Sequence, residues 1–308
     1  MVSLKNQDIV SALQFDRDTV LYLFELAEKL RSEIRDKGIL DYARGKIMAT
    51  VFLEPSTRTK LSFQFAMKRL GGDVIDFDVT TSSLAKGETD VDTLRIIDGY
   101  DPDVIVLRQS KPGFPEQIKD IINAPIINAG DGWNEHPTQA LLDVYTIWRE
   151  LGHVDGLTIG IMGDLKYGRT PSSLSYLLSK FNNITIYYIA PKPLQIREEV
   201  LKKIEGKIDY YLVDNVEEVI EKLDVLYVTR LQKERLPDKS MYEELKGSYR
   251  ITANMLMKYR KIPIIMHPLP RTWELDSSVD KLPQAKYFEQ ARNGLYVRAA
   301  LIKEVLGV

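Results

Sequence analysis

Apolar residues at Val20, Leu23, Phe24, Ala27, Leu30 and Ile34 recur at three- and four-residue steps, which predicts one long amphipathic helix entered at Asp16 or Asp18 and ended near Gly38. Beyond it the period changes. Short apolar, β-branched runs at 47–53, 74–77, 104–107 and 126–128 alternate with helical patterns near 61–70, 89–98 and 115–122. That alternation reads as a parallel sheet with helices on its faces. A long helix from Pro137 to Leu151 follows, then a second series with strands at 158–162, 184–189, 209–213, 225–229 and 263–266 and helices between them. No low-complexity linker or internal repeat separates the halves. The expected fold class is α/β, with two doubly wound domains, each a central parallel sheet flanked by helices. Open sheets of this kind bind ligands beyond the carboxyl ends of their strands, so the polar residues at those ends are the place to look for chemistry.

The richest of these ends is Glu54-Pro55-Ser56-Thr57-Arg58-Thr59-Lys60-Leu61-Ser62, between the run 47–53 and a helix whose Leu61, Phe63, Phe65, Ala66 and Leu70 suit burial. A helix start offers unpaired N–H donors and a partial positive charge, so backbone, hydroxyls and an arginine fork together can hold a phosphate. Ser56 or Thr57 would also serve as a plain N-cap. Arg58 weighs against that plain reading, because a cation in the first turn opposes the helix dipole unless an anion sits there.

Other ends repeat the theme. Arg108 directly follows Val104-Ile105-Val106-Leu107, and His136 and Gln139 lie at the start of the helix that Pro137 opens. A neutral imidazole or an amide there can hydrogen-bond a substrate carbonyl without proton transfer. In the second series Gly163-Asp164-Leu165-Lys166-Tyr167-Gly168-Arg169 places Arg169 as Arg58 is placed, the run 225–229 delivers Arg230 and Gln232, and 263–266 delivers His267-Pro268-Leu269-Pro270-Arg271. Its two prolines withhold N–H donors and leave carbonyls to accept from an amine. The polar segment Thr80–Thr89 reads as a surface loop, and Lys86 beside Gly87 has the composition of a phosphate-closing flap.

Composition narrows the chemistry. The chain has 308 residues, 44% hydrophobic and 28% charged, enough for two packed domains, and its net charge of -2 argues against nucleic acid as a partner. No apolar stretch reaches the roughly 20 residues of a membrane span and the N-terminus lacks the layout of a signal peptide, so the expected location is the cytoplasm, away from membranes. Zero cysteines exclude disulfides, thiolate metal sites and Cys nucleophiles, and three histidines, His136, His153 and His267, make a His-rich metal site improbable. Neither a cofactor nor a metal is expected. Arg58, Arg108, Arg169 and Arg230 suit a polyanion made of a phosphate and carboxylates, and no carboxylate pair, Ser-His-Asp set or activated Lys stands out as a nucleophile. The chemistry expected is direct transfer between two bound substrates, driven by juxtaposition worth roughly 7–11 kcal/mol and by oxyanion donors worth about 3–4 kcal/mol each.

These motifs in this order, from Phe52-Leu53-Glu54-Pro55-Ser56-Thr57-Arg58-Thr59 through Lys86-Gly87-Glu88-Thr89, His136-Pro137-Thr138-Gln139 and Gly163–Thr170 to Thr229–Arg235 and His267–Arg271, resemble those of catalytic chains of the aspartate carbamoyltransferase family, essentially from end to end. The resemblance implies the aspartate/ornithine carbamoyltransferase fold, with a carbamoyl phosphate-binding domain over 1–137, a C-terminal helix at 291–308 packing back on it, and an aspartate-binding domain over 138–290. It implies a transferase that moves the carbamoyl group of carbamoyl phosphate to the amine of L-aspartate, the committed step of pyrimidine synthesis. Ser56, Thr57, Arg58 and Thr59 would hold the phosphate, and Arg108, His136 and Gln139 would address the carbamoyl end. Thr57 and Arg58 would also meet the carbonyl oxygen as charge grows on it. Arg169, Arg230 and Gln232 would bind the aspartate carboxylates, and the Pro268 and Leu269 carbonyls would orient the amine and the carbamoyl nitrogen. The phosphate itself is left as acceptor of the amine proton.

Family membership would further imply a homotrimer with sites shared between chains, Ser82 and Lys86 entering the neighbour's site. Spacing back from Lys86 favours Ser82 over the adjacent Ser83. A larger assembly with a regulatory chain stays open. Glu135 and Ser172 stand where the family commonly carries Gln and His. A sibling acting on ornithine or another amine is the near alternative, and a non-catalytic anion-binding protein the distant one. Ornithine would call for a carboxylate near its side-chain amine and a Cys in the His-x-Leu-Pro loop, whereas this chain offers Arg230 and no Cys.

Overall fold

Asp16 accepts a hydrogen bond from the backbone N–H of Thr19 at 2.7 Å and so opens helix α1, Arg17–Lys37, which buries Val20, Leu23, Phe24, Ala27, Leu30 and Ile34 and ends on Gly38 at φ 78°. The computed structural model describes residues 3–77, 87–235, 239–246 and 249–308. Ser82 and Lys86 lie outside them. The chain divides into two compact units, Met1–Leu141 with Asn293–Val308, and Leu142–Arg292.

In the first unit β1 (Ile47–Phe52), β2 (Asp73–Phe77), β3 (Val104–Gln109) and β4 (Ile126–Asp131) form one parallel sheet in the order β2-β1-β3-β4. Helices α2 (Thr57–Arg69), α3 (Asp90–Asp98) and α4 (Phe114–Ile118) lie along the connections. Val51, Ile105, Leu107 and Ile126 of the sheet bury against Leu94 of α3 and Phe114 and Ile118 of α4. That apolar sandwich fixes where the strands end, and hence where the polar residues after them emerge. Arg108 belongs to β3 itself, opposite Phe52 of β1, rather than to the loop beyond the strand.

Helix α5 (Pro137–Leu151) runs across the unit boundary in sequence. The second unit then contains β5 (Thr158–Met162), α6 (Arg169–Leu178), β6 (Thr185–Ile189), α7 (Glu198–Ile204), β7 (Asp209–Val213), β8 (Val225–Val228), α8 (Lys239–Leu245), α9 (Ala253–Leu256) and β9 (Ile264–Met266), and α10 (Tyr287–Leu306) completes the chain. Its five strands are parallel in the order β7-β6-β5-β8-β9. Edge strand β7 carries exposed Tyr210, Tyr211 and Leu212, an exception to the buried runs of the inner strands.

The strand orders matter for function. Each sheet reverses direction of winding once, between β1 and β3 in the first and between β5 and β8 in the second, and such reversals open a crevice at the carboxyl ends.

Candidate active site

At the first reversal, β1 leads through Glu54 and Pro55 to Ser56, the N-cap of α2, whose extended backbone is typical of a cap but whose side chain makes no capping hydrogen bond. The hydroxyl is therefore not consumed by the helix. The first turn holds Thr57, Arg58 and Thr59 and no acidic residue, so the positive end of the helix dipole is reinforced rather than neutralised. Thr57 and Arg58 are exposed while Thr59 is buried. Lys60 instead forms an ion pair with Asp76 at 2.8 Å. From β3, buried Arg108 reaches across the reversal: its Nη1 donates to the Ala129 carbonyl at 3.2 Å and its Nη2 to Glu54 at 3.0 Å, while the Arg108 carbonyl accepts from Leu53 N–H at 2.9 Å. The guanidinium is thus pinned between the turn after β1 and the backbone of β4 itself. His136 and Gln139, both buried, start α5 just beyond β4.

At the second reversal, Arg169 is the first residue of α6, again buried, after a turn built on Asp164. Asp164 accepts from the Tyr167 N–H at 2.9 Å and from the Gln232 N–H at 3.0 Å, tying the loop after β5 to the loop after β8. Gly163 is required here: at φ 119° a Cβ would lie 2.2 Å from the Thr229 carbonyl oxygen. Arg230 follows β8 and forks onto Glu234, with Nη1 3.1 Å from Oε2 and Nη2 against Oε1. Gln232 donates its side-chain amide to the Arg230 carbonyl at 3.3 Å.

The loop after β9 is shaped by a buried charge. Leu269 N–H donates to His267 Nδ1 at 2.8 Å, which leaves the ring proton on Nε2, 2.9 Å from Glu274 Oε1. The imidazole is therefore neutral, and Leu269 is held at φ 56°, a conformation that costs about 1–3 kcal/mol for a residue with a side chain. Burial pushes His267 below the ordinary 6.5, against the upward pull of Glu274. Burial would raise Glu274, but hydrogen bonds from His267 and Thr272 outweigh it and hold the carboxyl below the ordinary 4.5. Both folded-state values are depressed, so the unfolded chain binds more protons in acid. The histidine's contribution is present above pH 6.5 and the glutamate's above 4.5, and each is lost as pH falls below that value. Thermal unfolding followed between about pH 7.5 and 4.5 should show the midpoint dropping with acidity. His267→Gln should flatten the portion below pH 6.5; an unchanged slope would contradict the neutral assignment.

The carbamoyl-P binding domain model of the aspartate/ornithine carbamoyltransferases matches residues 7–149, and the model of their Asp/Orn binding domain matches residues 155–305. The chain belongs to the aspartate/ornithine carbamoyltransferase family. It is 48% identical to the aspartate carbamoyltransferase catalytic subunit of Methanocaldococcus jannaschii over 300 residues, 97% of each chain. Among solved structures it is similar to Trypanosoma cruzi aspartate transcarbamoylase in complex with carbamoyl phosphate and aspartate, with 42% identity, a TM-score of 0.94 and 98% of each chain covered. A crystal structure of the M. jannaschii catalytic subunit gives 47% identity and a TM-score of 0.89, again over 98% of each chain.

Seen as a member of this family, the chain gathers Ser56, Thr57, Arg58, Thr59, Arg108, His136 and Gln139 at the carboxyl end of one sheet, and Arg169, Arg230, Gln232, Pro268 and Leu269 at the carboxyl end of the other. Several supporting residues escaped the sequence reading. Glu54 pairs with Arg108, 54 residues further on, and Glu234 and Glu274 meet their partners through loop conformations, so no periodic pattern marks them. Asp164 had a signal, an acidic residue after a glycine at a strand end, which favours a side-chain-to-backbone turn. The family departure at Glu135 also finds a role. Its buried carboxylate accepts from Ser11 Oγ at 2.6 Å and Ala12 N–H at 2.8 Å, anchoring the N-terminal turn beside His136.

Proposed function

We propose that this carbamoyltransferase uses aspartate as acceptor, forming N-carbamoyl-L-aspartate and phosphate in the committed step of pyrimidine synthesis. The observation that carries the reading is the pairing of arginines with both sheet reversals: Arg58 and Arg108 at one, Arg169 and Arg230 at the other. One pair suits a phosphate, the other a dicarboxylate. Ornithine is disfavoured because Arg230 would face its ammonium, and the His267–Pro270 loop lacks the cysteine an ornithine site would carry.

In the proposed reaction the aspartate nitrogen attacks the carbamoyl carbon, the bond from that carbon to the phosphate oxygen breaks, and the departing phosphate takes the amine proton. Ser56, Thr57, Arg58 and Thr59 hold the phosphate at the α2 N-terminus. Thr57, Arg58, Arg108 and His136 stabilise the carbonyl oxygen as it gains charge, and Gln139 addresses the carbamoyl amide. Arg169, Arg230 and Gln232 bind the aspartate carboxylates, and the Pro268 and Leu269 carbonyls accept from the two nitrogens. We assign Lys86 and Ser82 to a neighbouring chain's site within a homotrimer. That assembly is supported by apolar side chains left outward on the first unit, Leu61 at 45% and Phe65 at 55% exposure on α2 and Ile75 at 61% on β2. The chemistry needs no regulatory chain, since every group assigned to it belongs to copies of this one chain. A cytoplasmic location belongs to the same reading, because both substrates are anions that do not cross a bilayer unaided.

Assaying purified protein for carbamoyl aspartate, with ornithine as the parallel acceptor, tests the reading; product from ornithine alone, or from neither, would overturn it. Arg230→Ala should raise the aspartate KM by roughly a hundredfold with a much smaller change in the carbamoyl phosphate KM, the loss of one charge-assisted fork at about 2–3 kcal/mol. Equal rises in both KM values would argue against its assignment to aspartate.

A further inference from the structure

Ser172 is fully buried in α6, three residues after Arg169. Its partner comes from another segment. Arg197, just before α7, sends Nη2 to Ser172 Oγ at 3.0 Å and Nη1 to the Lys166 carbonyl at 2.7 Å, with Nε on Glu199 at 2.8 Å. One planar guanidinium therefore links the turn before Arg169 to the helical turn after it. The platform is firm, because the Arg197 carbonyl accepts the first N–H bonds of α7, from Val200 at 3.0 Å and Leu201 at 3.3 Å, and the Arg197 side chain is only 14% exposed. A second tie runs the same way, from Leu165 N–H to the Leu194 carbonyl at 3.0 Å.

The turn so gripped has little freedom of its own. Gly168 is there because a Cβ would stand 2.6 Å from the Asp164 carbonyl oxygen, and Arg235 holds the neighbouring Tyr167 carbonyl at 3.1 Å. Arg197 holds the Lys166 carbonyl of this turn directly. Arg169 follows within three residues, and a shift of its Cα by even a fraction of an ångström would move the tip of its guanidinium away from a carboxylate.

We propose that Arg197, acting through Lys166 and Ser172, is a positioning residue that sets Arg169 for the substrate carboxylate. The proposal rests on the assignment of Arg169 to aspartate. It concerns recognition rather than the reacting atoms, so its signature is a change in aspartate KM without a matching change in kcat.

The test is steady-state kinetics on the full chain, with carbamoyl phosphate and aspartate each varied, for Arg197→Met, Arg197→Lys, Ser172→Ala and the double variant Arg197→Met/Ser172→Ala. Arg197→Met is expected to raise the aspartate KM roughly tenfold, with kcat and the carbamoyl phosphate KM within about twofold of the parent. Ser172→Ala should give a smaller rise, Arg197→Lys should recover part of the loss through the Lys166 carbonyl, and the double variant should match Arg197→Met, because the two residues share one interaction. A purely structural staple would lower thermal stability and move both KM values together, and that result would overturn the proposal. Additive effects, or an aspartate KM within about twofold of the parent in Arg197→Met, would overturn it too. Should Arg197→Met fail to fold, Ser172→Ala and Arg197→Lys still decide between these outcomes. An unsubstituted enzyme that forms no carbamoyl aspartate would instead strike at the proposed reaction, and at this proposal with it, before any variant is measured.

Discussion

Replacing Arg58 with alanine is expected to lower kcat about a thousandfold, ~4 kcal/mol of transition-state stabilisation, while the aspartate KM changes by no more than a few fold. The size follows from position. Arg58 stands exposed in the first turn of α2, where the helix dipole already favours an anion and where the Ser56 hydroxyl makes no capping bond. In the proposed reaction negative charge moves from the carbonyl oxygen to the departing phosphate, and Arg58 can follow it along that path. An interaction that strengthens as the reaction proceeds is lost mainly from kcat. Arg58→Lys should restore little, because an ammonium supplies a point charge but not two parallel donors. Initial rates at saturating substrates provide the measurement. A loss under about tenfold would mean that backbone N–H groups and hydroxyls carry the charge, and that the cation at this turn serves some other purpose.

What the sequence could and could not convey follows from the range of the interactions involved. Periodicity and caps are local, so α1 begins after Asp16 and ends at Gly38 as its pattern predicts, and β1, β5 and β7 fall on the runs at 47–53, 158–162 and 209–213. Arg58, Arg108, Arg169 and Arg230 could be picked out because each stands at the carboxyl end of such a run, a local fact with a topological meaning. The order of strands within each sheet is not local, and it is this order that sets Arg58 and Arg108 beside the same reversal. Supporting residues were harder still. Arg197 lies 25 residues from Ser172, and Glu135 lies 123 from Ala12, so nothing in either neighbourhood marks the partner. Glu274 offers a different lesson. A buried carboxylate is normally expensive, yet hydrogen bonds from Thr272 and a neutral histidine make it tolerable, and the loop carrying Pro268 and Leu269 takes its shape from them.

Mixing two inactive variants should restore activity if each site draws on two chains. Arg58→Ala chains keep Lys86, Lys86→Ala chains keep Arg58, and neither homotrimer would contain an intact site. In trimers reassembled from an equal mixture, a given site has its phosphate-holding chain and its Lys86-donating chain chosen independently. The productive combination therefore occurs in about one site in four. The expected result is recovery to about a quarter of the unsubstituted rate, from parents that are each close to inactive. No arrangement confined to one chain predicts this, since every chain in the mixture carries one lesion and its activity would remain that of the parents. The mass of the native assembly, measured on the same samples, must correspond to three chains for the arithmetic to apply. Dilution offers a second handle: the recovered activity should vanish where the trimer dissociates and return on concentration, whereas activity belonging to single chains would be indifferent to it. Substituting Phe65, 55% exposed on α2, with a charged residue should move that dissociation to higher protein concentration while leaving the two units folded, which separates loss of the shared site from loss of the fold.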